Sequence, residues 1–121
     1  MQKYVDILEK KYKVKNVTLI PHGTFEISEE KPEYDLPQGP LQVMTFGKFG
    51  TYKKVEGMIE AVEKVRASTG LDLKVVIAGT DNPNVPGYLA KVQEDYKHVP
   101  QVRFTGYVEE FEVPTLFKES A

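Results

Sequence analysis

The sequence contains no cysteine, which excludes a disulfide framework and any metal site built on thiolates. Its two histidines, His22 and His98, are too far apart to form a zinc pattern. No apolar run approaches the roughly 18 residues that a membrane-spanning helix needs. The first residues, 1–6, lack the charged and then apolar layout of a signal peptide. These absences make the cytoplasm the default expectation, without nucleic acid or a membrane span.

The sequence also has no marked excess of positive or of negative charge. The formal net charge is −2, so overall electrostatics gives no reason to expect nucleic acid or an anionic membrane as a partner. Hydrophobic residues make up 40% and charged residues 28% of the chain, which is ordinary for a soluble globular protein. The length of 121 residues allows one compact domain.

The clearest break in the chain is a stretch rich in proline, residues 28–40, which we predict to be a linker. Before it, the pattern of apolar residues predicts a helix from Lys3 to Lys13 and a short strand from Val17 to Ile20. After it, strands and helices alternate through residues 41–121, each strand ending in a glycine. The predicted strands are 41–46, 73–78 and 101–105, and the predicted helices begin at Val55, Tyr88 and Glu109.

This order, β-α-β-α-β-α with short connections, predicts right-handed crossovers and a parallel sheet. The near-continuous apolar run from Leu73 to Ala78 is typical of a strand covered on both faces. We therefore expect an α/β fold that is half of a doubly wound, Rossmann-like sheet, with an N-terminal extension of one helix and one strand.

The connection between the first strand and its helix concentrates glycine and lysine: Gly47, Lys48, Gly50, Lys53 and Lys54. Open α/β sheets bind ligands at this position, beside the carboxyl end of a strand and the start of a helix. Lysines at a helix start are disfavoured by the helix dipole, so a bound anion would offset them. The alternative, that these lysines only reach into solvent, is equally consistent with the local pattern.

A series of short motifs runs along the chain: residues 20–25, IPHGTF; residues 47–56, GKFGTYKKVE; and residues 57–62, 73–79, 102–108 and 113–117. Together these motifs resemble the group 1 (glycogen-synthase-like) retaining glycosyltransferases of the GT-B fold. The first two are similar to the I-P-[NH]-G-V-D turn and the G-[RK]-x-x-x-x-K-G-x-D segment of that family. The others are similar, in order, to its L-I-E-A-F, L-x-I-V-G and V-x-F-x-G-x-V segments and to the short helix before A-D-x-x-V-x-P-S. No single motif is specific, but their order and spacing together are.

The resemblance implies transfer of a sugar from a nucleotide-diphospho-sugar donor with retention at the anomeric carbon, without a cofactor and usually without a metal. By this comparison, Lys48 and Lys53 match the basic pair that binds the donor diphosphate. Gly47 and Gly50 would let backbone amides approach it, and the backbone at Tyr107 and Val108 matches the region that contacts the nucleobase. The resemblance assigns no catalytic residue and no metal ligand to this chain.

The sequence departs from the family pattern at Lys54, where the family has glycine, and at Phe25, where it has aspartate. By the same comparison, residues 1–27 are the tail of a preceding domain with the hinge turn at His22 and Gly23. Residues 28–40 are then a linker, and residues 41–121 an incomplete nucleotide-sugar-binding domain. The family's Glu-seven-residues-Glu motif and its acceptor domain are expected outside this chain, so we expect a fragment that is inactive without the remainder of the enzyme.

A different class of function stays open at this point. The first strand, Leu41 to Phe46, is predicted at an unprotected sheet edge, which can pair with a second copy. The chain can accordingly be a non-catalytic scaffold fragment that forms a homodimer. A P-loop NTPase is disfavoured, because residues 47–54 lack G-x-x-x-x-G-K-[ST].

Overall fold

The computed structural model describes residues 2–21, residue 23 and residues 39–120. The chain divides into two compact units, residues 1–33 and residues 34–121, and each is described by itself. Most of the predicted linker lies outside the described residues, as do His22, Thr24 and Phe25 of the predicted hinge turn.

The first unit contains helix α1, Gln2–Lys10. Lys13 ends the helical region in a left-handed conformation with φ 58°, and the amide of Val14 donates to the carbonyl of Leu8 at 3.1 Å, which is a common helix termination. The predicted strand at residues 17–20 is wrong, because residues 13–20 adopt no regular secondary structure. In the described part of this unit no second strand lies beside them to accept a β ladder.

The second unit alternates strands and helices as predicted. Its elements are β1 Leu41–Phe49, α2 Val55–Thr69, β2 Leu73–Asp81, α3 Tyr88–Asp95, β3 Val102–Gly106 and α4 Val113–Lys118, with short 3-10 turns at Thr51–Lys53 and Glu110–Glu112. The strands form a parallel sheet in the order β1-β2-β3. The predicted fold class, half of a Rossmann-like sheet, is confirmed. Within the described residues no helix combines the length and the apolar character needed to cross a membrane.

Strands β1 and β2 continue past the glycines at which the sequence predicts their ends. Gly47 pairs with Gly79, and the ladder runs on to Phe49 opposite Asp81. Phe49 is fully buried, so this extension belongs to the core. The predicted first strand is too short because the apolar run in the sequence stops at Phe46, whereas backbone pairing needs no apolar side chain.

The helices cover both faces of the sheet, but unequally. Val75 and Ile77 of β2 face one side and join the larger buried cluster with residues of α2 and α3. Val76 and Ala78, which alternate with them, face the other side and pack against Leu116 of α4. The apolar run in β2 is therefore buried on both faces, as predicted.

Helix α4 also reaches the first strand. The side-chain amide of Gln42 on β1 donates to the hydroxyl of Ser120 at 3.1 Å. The rings of Phe46 and Phe117 meet edge to face, with centroids 5.9 Å apart, and both remain partly exposed. After β3 the chain thus crosses to the opposite face and runs back toward β1.

Candidate functional site

A row of three glycines crosses the sheet near the carboxyl ends of its strands. Gly47 is in register with Gly79, and Gly79 with Gly106. Their φ values are 141°, 135° and 71°, in the region that favours glycine. A Cβ at Gly79 would lie 1.9 Å from the carbonyl oxygen of Gly47, so the two strands come together here only without a side chain. All three connections that leave this edge therefore start close to one another.

The first of these connections, residues 47–54, is called the basic turn below. Its path is fixed where β1 ends, because the carbonyl of Phe49 accepts a hydrogen bond of 2.6 Å from the amide of Asn82. Gly50 follows as buried, extended backbone. The 3-10 turn Thr51–Lys53 then leads into α2. Lys48 is exposed at the end of β1 and Lys53 is exposed in the 3-10 turn.

Tyr52 connects the two lysines that the sequence selects. Its hydroxyl donates to the carbonyl oxygen of Lys48 at 3.4 Å, and the ammonium of Lys53 lies 5.7 Å from the centroid of its ring. A Cβ at Gly50 would meet the Tyr52 ring at 3.2 Å, so this glycine makes room for the ring and needs no special φ. Sequence reasoning assigned Tyr52 no role, although an aromatic residue among lysines is a visible signal.

The backbone conformation of Lys54 explains why the family pattern has glycine at this position. It adopts a left-handed conformation, φ 48° and ψ 51°, at the junction between the 3-10 turn and α2. This conformation costs an L-residue roughly 1–2 kcal/mol but is easily adopted by glycine. The glycine expected here by resemblance therefore has a structural reason, and Lys54 keeps the same backbone path under strain.

No described carboxylate neutralises the basic turn. Within the described residues, ion pairs closer than 4 Å join Arg66 to Glu63 and Lys97 to Glu94. The ammonium groups of the three lysines, Lys48, Lys53 and Lys54, have no such partner in the part of the chain that the structure describes, and all three side chains are exposed. The turn therefore presents positive charge that no described carboxylate offsets, beside the start of a helix, where backbone amides also favour anions.

The nearest acid in sequence, Glu56, is engaged elsewhere. Its Oε2 accepts a hydrogen bond of 2.6 Å from the hydroxyl of Tyr88, which opens α3. The same hydroxyl accepts from the amide of Val55 at 3.2 Å. Burial, together with the hydrogen bond to the Glu56 carboxylate, raises the pKa of Tyr88 to about 12.

A second pair of the same kind lies farther along the two helices. The hydroxyl of Tyr96, which directly follows α3, donates to Oε1 of Glu60 at 2.9 Å. Burial and this hydrogen bond raise the pKa of Tyr96 to about 12 as well. Neither pair has a sequence signal, because the partners stand more than 30 positions apart.

The second connection, residues 80–87, uses its acid internally. The carboxylate of Asp81 accepts from the amide of Gly87 at 2.6 Å and from the amide of Leu89 at 2.8 Å. The side chain of Asn82 accepts from the amide of Asn84 at 3.0 Å, a common turn. Asp81 thereby caps the start of α3. Within the described residues, no group of three or more acids or histidines is placed to hold a metal ion.

The third connection holds the remaining two predicted site residues. The Tyr107 ring is 72% exposed, whereas the Val108 side chain packs on the cluster formed by Val76, Ala78 and Leu116. Both residues line a groove of 510 Å³ beside α4. They lie at the same edge of the sheet as the basic turn but two strands away, about 10 Å at the usual strand spacing. The predicted residues thus occupy two places along one edge.

Comparison with known proteins decides the family. A family model described as "Glycosyl transferases group 1" matches residues 26–121. The chain belongs to the group 1 glycosyltransferases. Searches of curated proteins and of solved structures gave no significant match. The family membership expected from the motifs is confirmed, and the function of this group 1 glycosyltransferase lies in glycosyl transfer.

Proposed function

We propose that this glycosyltransferase binds a nucleotide-diphospho-sugar donor along the carboxyl edge of its sheet. The diphosphate lies against the basic turn, held by Lys48 and Lys53, and the nucleobase lies near Tyr107 and Val108. The observation that carries the proposal is the group of exposed lysines at the end of β1 without a described carboxylate partner.

The position of the basic turn supports this proposal. In open α/β sheets, ligands bind beyond the carboxyl ends of the strands, at the point where the covering helices change from one face to the other. Here α2 and α3 share one face and α4 lies on the opposite face, with Ser120 bonded to Gln42 on β1. The change of face therefore falls at β1, the strand that leads into the basic turn.

The chemistry of glycosyl transfer gives these lysines a role. When the bond between the anomeric carbon and the diphosphate oxygen breaks, the leaving diphosphate keeps the electron pair. The carbon bonds to the oxygen of an acceptor hydroxyl, whose proton passes to the leaving diphosphate. Fixed ammonium groups at Lys48 and Lys53 stabilise that developing charge. Gly47 supports close approach, because the space where its Cβ would stand is open. Retention at the anomeric carbon is part of the proposal and rests on the family resemblance.

The third connection suits the other end of the donor. The exposed ring of Tyr107 can stack on a base, while packing of the Val108 side chain fixes the neighbouring backbone for hydrogen bonds. The separation of about 10 Å between β1 and β3 is the distance that an extended nucleoside diphosphate would bridge.

The decisive experiment is a calorimetric titration with uridine, adenosine and guanosine diphosphate. It compares the unaltered protein with Lys48→Ala/Lys53→Ala, at low and at high salt. Hydrogen bonds to charged groups contribute about 1.5–3 kcal/mol each, so the double variant should lose at least about tenfold in affinity. Binding to the unaltered protein should weaken with salt.

A matched control removes two exposed lysines that lie elsewhere, Lys74 and Lys91. The Lys74→Ala/Lys91→Ala variant changes the net charge equally and should bind like the unaltered protein. Equal losses in both double variants would show that only overall charge matters. An absence of binding at millimolar nucleotide would exclude a donor site in this chain.

One observation favours a second candidate, self-association. Among the described strands β1 pairs only with β2, so no described strand covers its outer edge, and Phe46 beside that edge is 41% exposed. A scaffold role predicts a concentration-dependent dimer in sedimentation experiments that Phe46→Lys disrupts, because charge at an edge opposes strand pairing. A monomer at all concentrations would exclude it.

A further inference from the structure

Glu56 and the lysines of the basic turn are neighbours in sequence yet do not pair. Glu56 stands in the first turn of α2, three positions after Lys53 and two after Lys54. No described ammonium lies within 4 Å of its carboxylate. Its Oε2 instead accepts the hydrogen bond of 2.6 Å from Tyr88. The acid in the first turn of α2 is therefore held by a neutral partner from another helix.

The hydroxyl of Tyr88 is itself well fixed. Tyr88 is 7% exposed and belongs to the larger buried cluster. Its oxygen accepts from the amide of Val55, which is 1% exposed, so the hydroxyl hydrogen is directed at Glu56. This arrangement holds the Glu56 carboxylate at the start of α3, where it remains engaged with the tyrosine.

We propose that Tyr88 is a positioning residue that restrains Glu56 and so leaves the ammonium group of Lys53 free for a diphosphate. This inference rests on the proposed function of the basic turn. Without the tyrosine hydroxyl, the Glu56 side chain is free to rotate, and side chains three positions apart at a helix start can meet. A carboxylate paired with Lys53 would compete with the ligand for the same charge.

The structure offers a matched control for this role. Tyr96 donates to Glu60 at 2.9 Å between the same two helices, about one helical turn farther from the basic turn. Tyr96→Phe therefore removes the same kind of bond without releasing an acid next to Lys53. Tyr88→Phe and Tyr96→Phe should differ in their effect on nucleotide binding, although each removes one tyrosine–glutamate bond.

The test titrates uridine, adenosine and guanosine diphosphate into Tyr88→Phe, Tyr96→Phe, Glu56→Gln and Tyr88→Phe/Glu56→Gln, each first shown to be folded by urea unfolding. Tyr88→Phe should weaken binding roughly two- to fivefold, the range expected for a competing exposed ion pair. Tyr96→Phe should leave the affinity unchanged. The double variant should recover the affinity of Glu56→Gln, because no carboxylate is left to compete. A role for Tyr88 limited to packing or to helix placement predicts no such recovery.

A second measurement needs no nucleotide. Limited acetylation, followed by mass spectrometry, reports the reactivity of Lys53 relative to the distant Lys91. Lys53 should react more slowly in Tyr88→Phe than in the unaltered protein, because an ion pair stabilises the ammonium form. Replacing Glu56 with glutamine in that background should restore the reactivity of Lys53.

The outcomes separate the two proposals. If the nucleotide binds and Lys48→Ala/Lys53→Ala weakens it, but Tyr88→Phe has no effect or is not rescued, the role of Tyr88 is wrong and the donor site stands. If no nucleotide binds, the donor site fails, and the acetylation pattern alone decides whether Tyr88 restrains Glu56. Unchanged lysine reactivity in Tyr88→Phe would overturn the restraint.

Discussion

The connections β1–α2 and β2–α3 share a backbone plan and differ in their chemistry. Each follows a strand that carries a glycine at the same register of the sheet, Gly47 in β1 and Gly79 in β2. Each leads to a helix on the same face of the sheet. The β2–α3 connection supplies its own anion, since Asp81 accepts from two amides at the start of α3. The β1–α2 connection contains three lysines and no carboxylate. The side chain of Lys54, the N-cap residue of α2, makes no capping hydrogen bond to the helix.

This difference separates a connection whose acid has hydrogen-bond partners among the described residues from one whose lysines have no described carboxylate partner. At the start of α3 the Asp81 carboxylate accepts hydrogen bonds from two amides, so this connection contributes to stability. The start of α2 keeps positive charge that nothing described offsets. One topology thus yields a structural connection and a candidate binding site, and only the side chains tell them apart.

The largest expected effect comes from replacing the paired glycines. In Gly79→Ala the new Cβ would stand 1.9 Å from the Gly47 carbonyl oxygen at a φ of 135°, which combines a backbone collision with conformational strain. We expect a loss of about 3 kcal/mol or more in the free energy of unfolding. Gly47→Ala meets open space at a similar φ and should lose less, about 1–3 kcal/mol.

Urea unfolding of the two variants measures this contrast. Equal losses would show that strain in φ alone governs both positions and that the close approach at Gly79 relaxes easily. A larger loss in Gly47→Ala would contradict the packing described for this edge of the sheet.

Asp81→Ala should have the next largest effect. It removes an acceptor of two short hydrogen bonds to backbone amides at the start of α3, and such caps contribute about 0.5–2 kcal/mol. Nucleotide affinity should not change, because this acid closes the structural connection. Asp95→Ala, at the exposed end of α3, is the control and should cost much less. Loss of binding with stability retained would move Asp81 into the site.

The bonds between α2 and α3 should make the protein sensitive to base. The pKa values of Tyr88 and Tyr96 are raised from the ordinary 10.0 to about 12 in the folded protein. Their stabilising contribution is therefore complete below pH 10 and is lost as the pH rises from 10 to 12. After allowance for partial exposure we expect about 1 kcal/mol.

Urea unfolding at pH 9 and pH 11.5 should show that the difference between the unaltered protein and Tyr88→Phe/Tyr96→Phe shrinks with pH. Tyr107→Phe, which alters an exposed ring, should show a constant difference. A constant difference for both variants would mean that these hydroxyls are not stabilised in their protonated form.

The sequence was sufficient to predict the parallel half-sheet, the glycines near the carboxyl ends of its three strands, and the placement of the basic turn between β1 and α2. These features depend on local patterns: apolar runs, glycines after strands and lysines before a helix. Gly70, with φ 71° and its amide bonded to the Arg66 carbonyl, was likewise predictable as the end of α2. The strand at residues 17–20 failed because strand formation depends on a neighbour, which four residues do not reveal.

The parts that escaped prediction depend on contacts between distant residues. The bond from Tyr88 to Glu56 joins residues from different elements, and the sequence pattern predicts only that a helix begins at Tyr88. The cap formed by Asp81 reaches Leu89 across a loop whose fold was not predicted. The sequence shows Lys54 only as a departure from the family pattern, and its left-handed backbone is visible only in the structure.

The smallest expected effect concerns Lys54 and separates two sources of strain in the basic turn. Lys54→Gly should stabilise the protein by about 0.5–1 kcal/mol, because glycine adopts φ 48° and ψ 51° without the cost that an L-residue bears. Lys54→Ala keeps the Cβ and removes only a positive charge that the helix dipole disfavours, so it should gain a few tenths of a kcal/mol. Urea unfolding of both variants gives the comparison. If alanine stabilises as much as glycine, then charge and not backbone conformation strains this turn, and the site would be held open by electrostatic repulsion that a bound anion relieves.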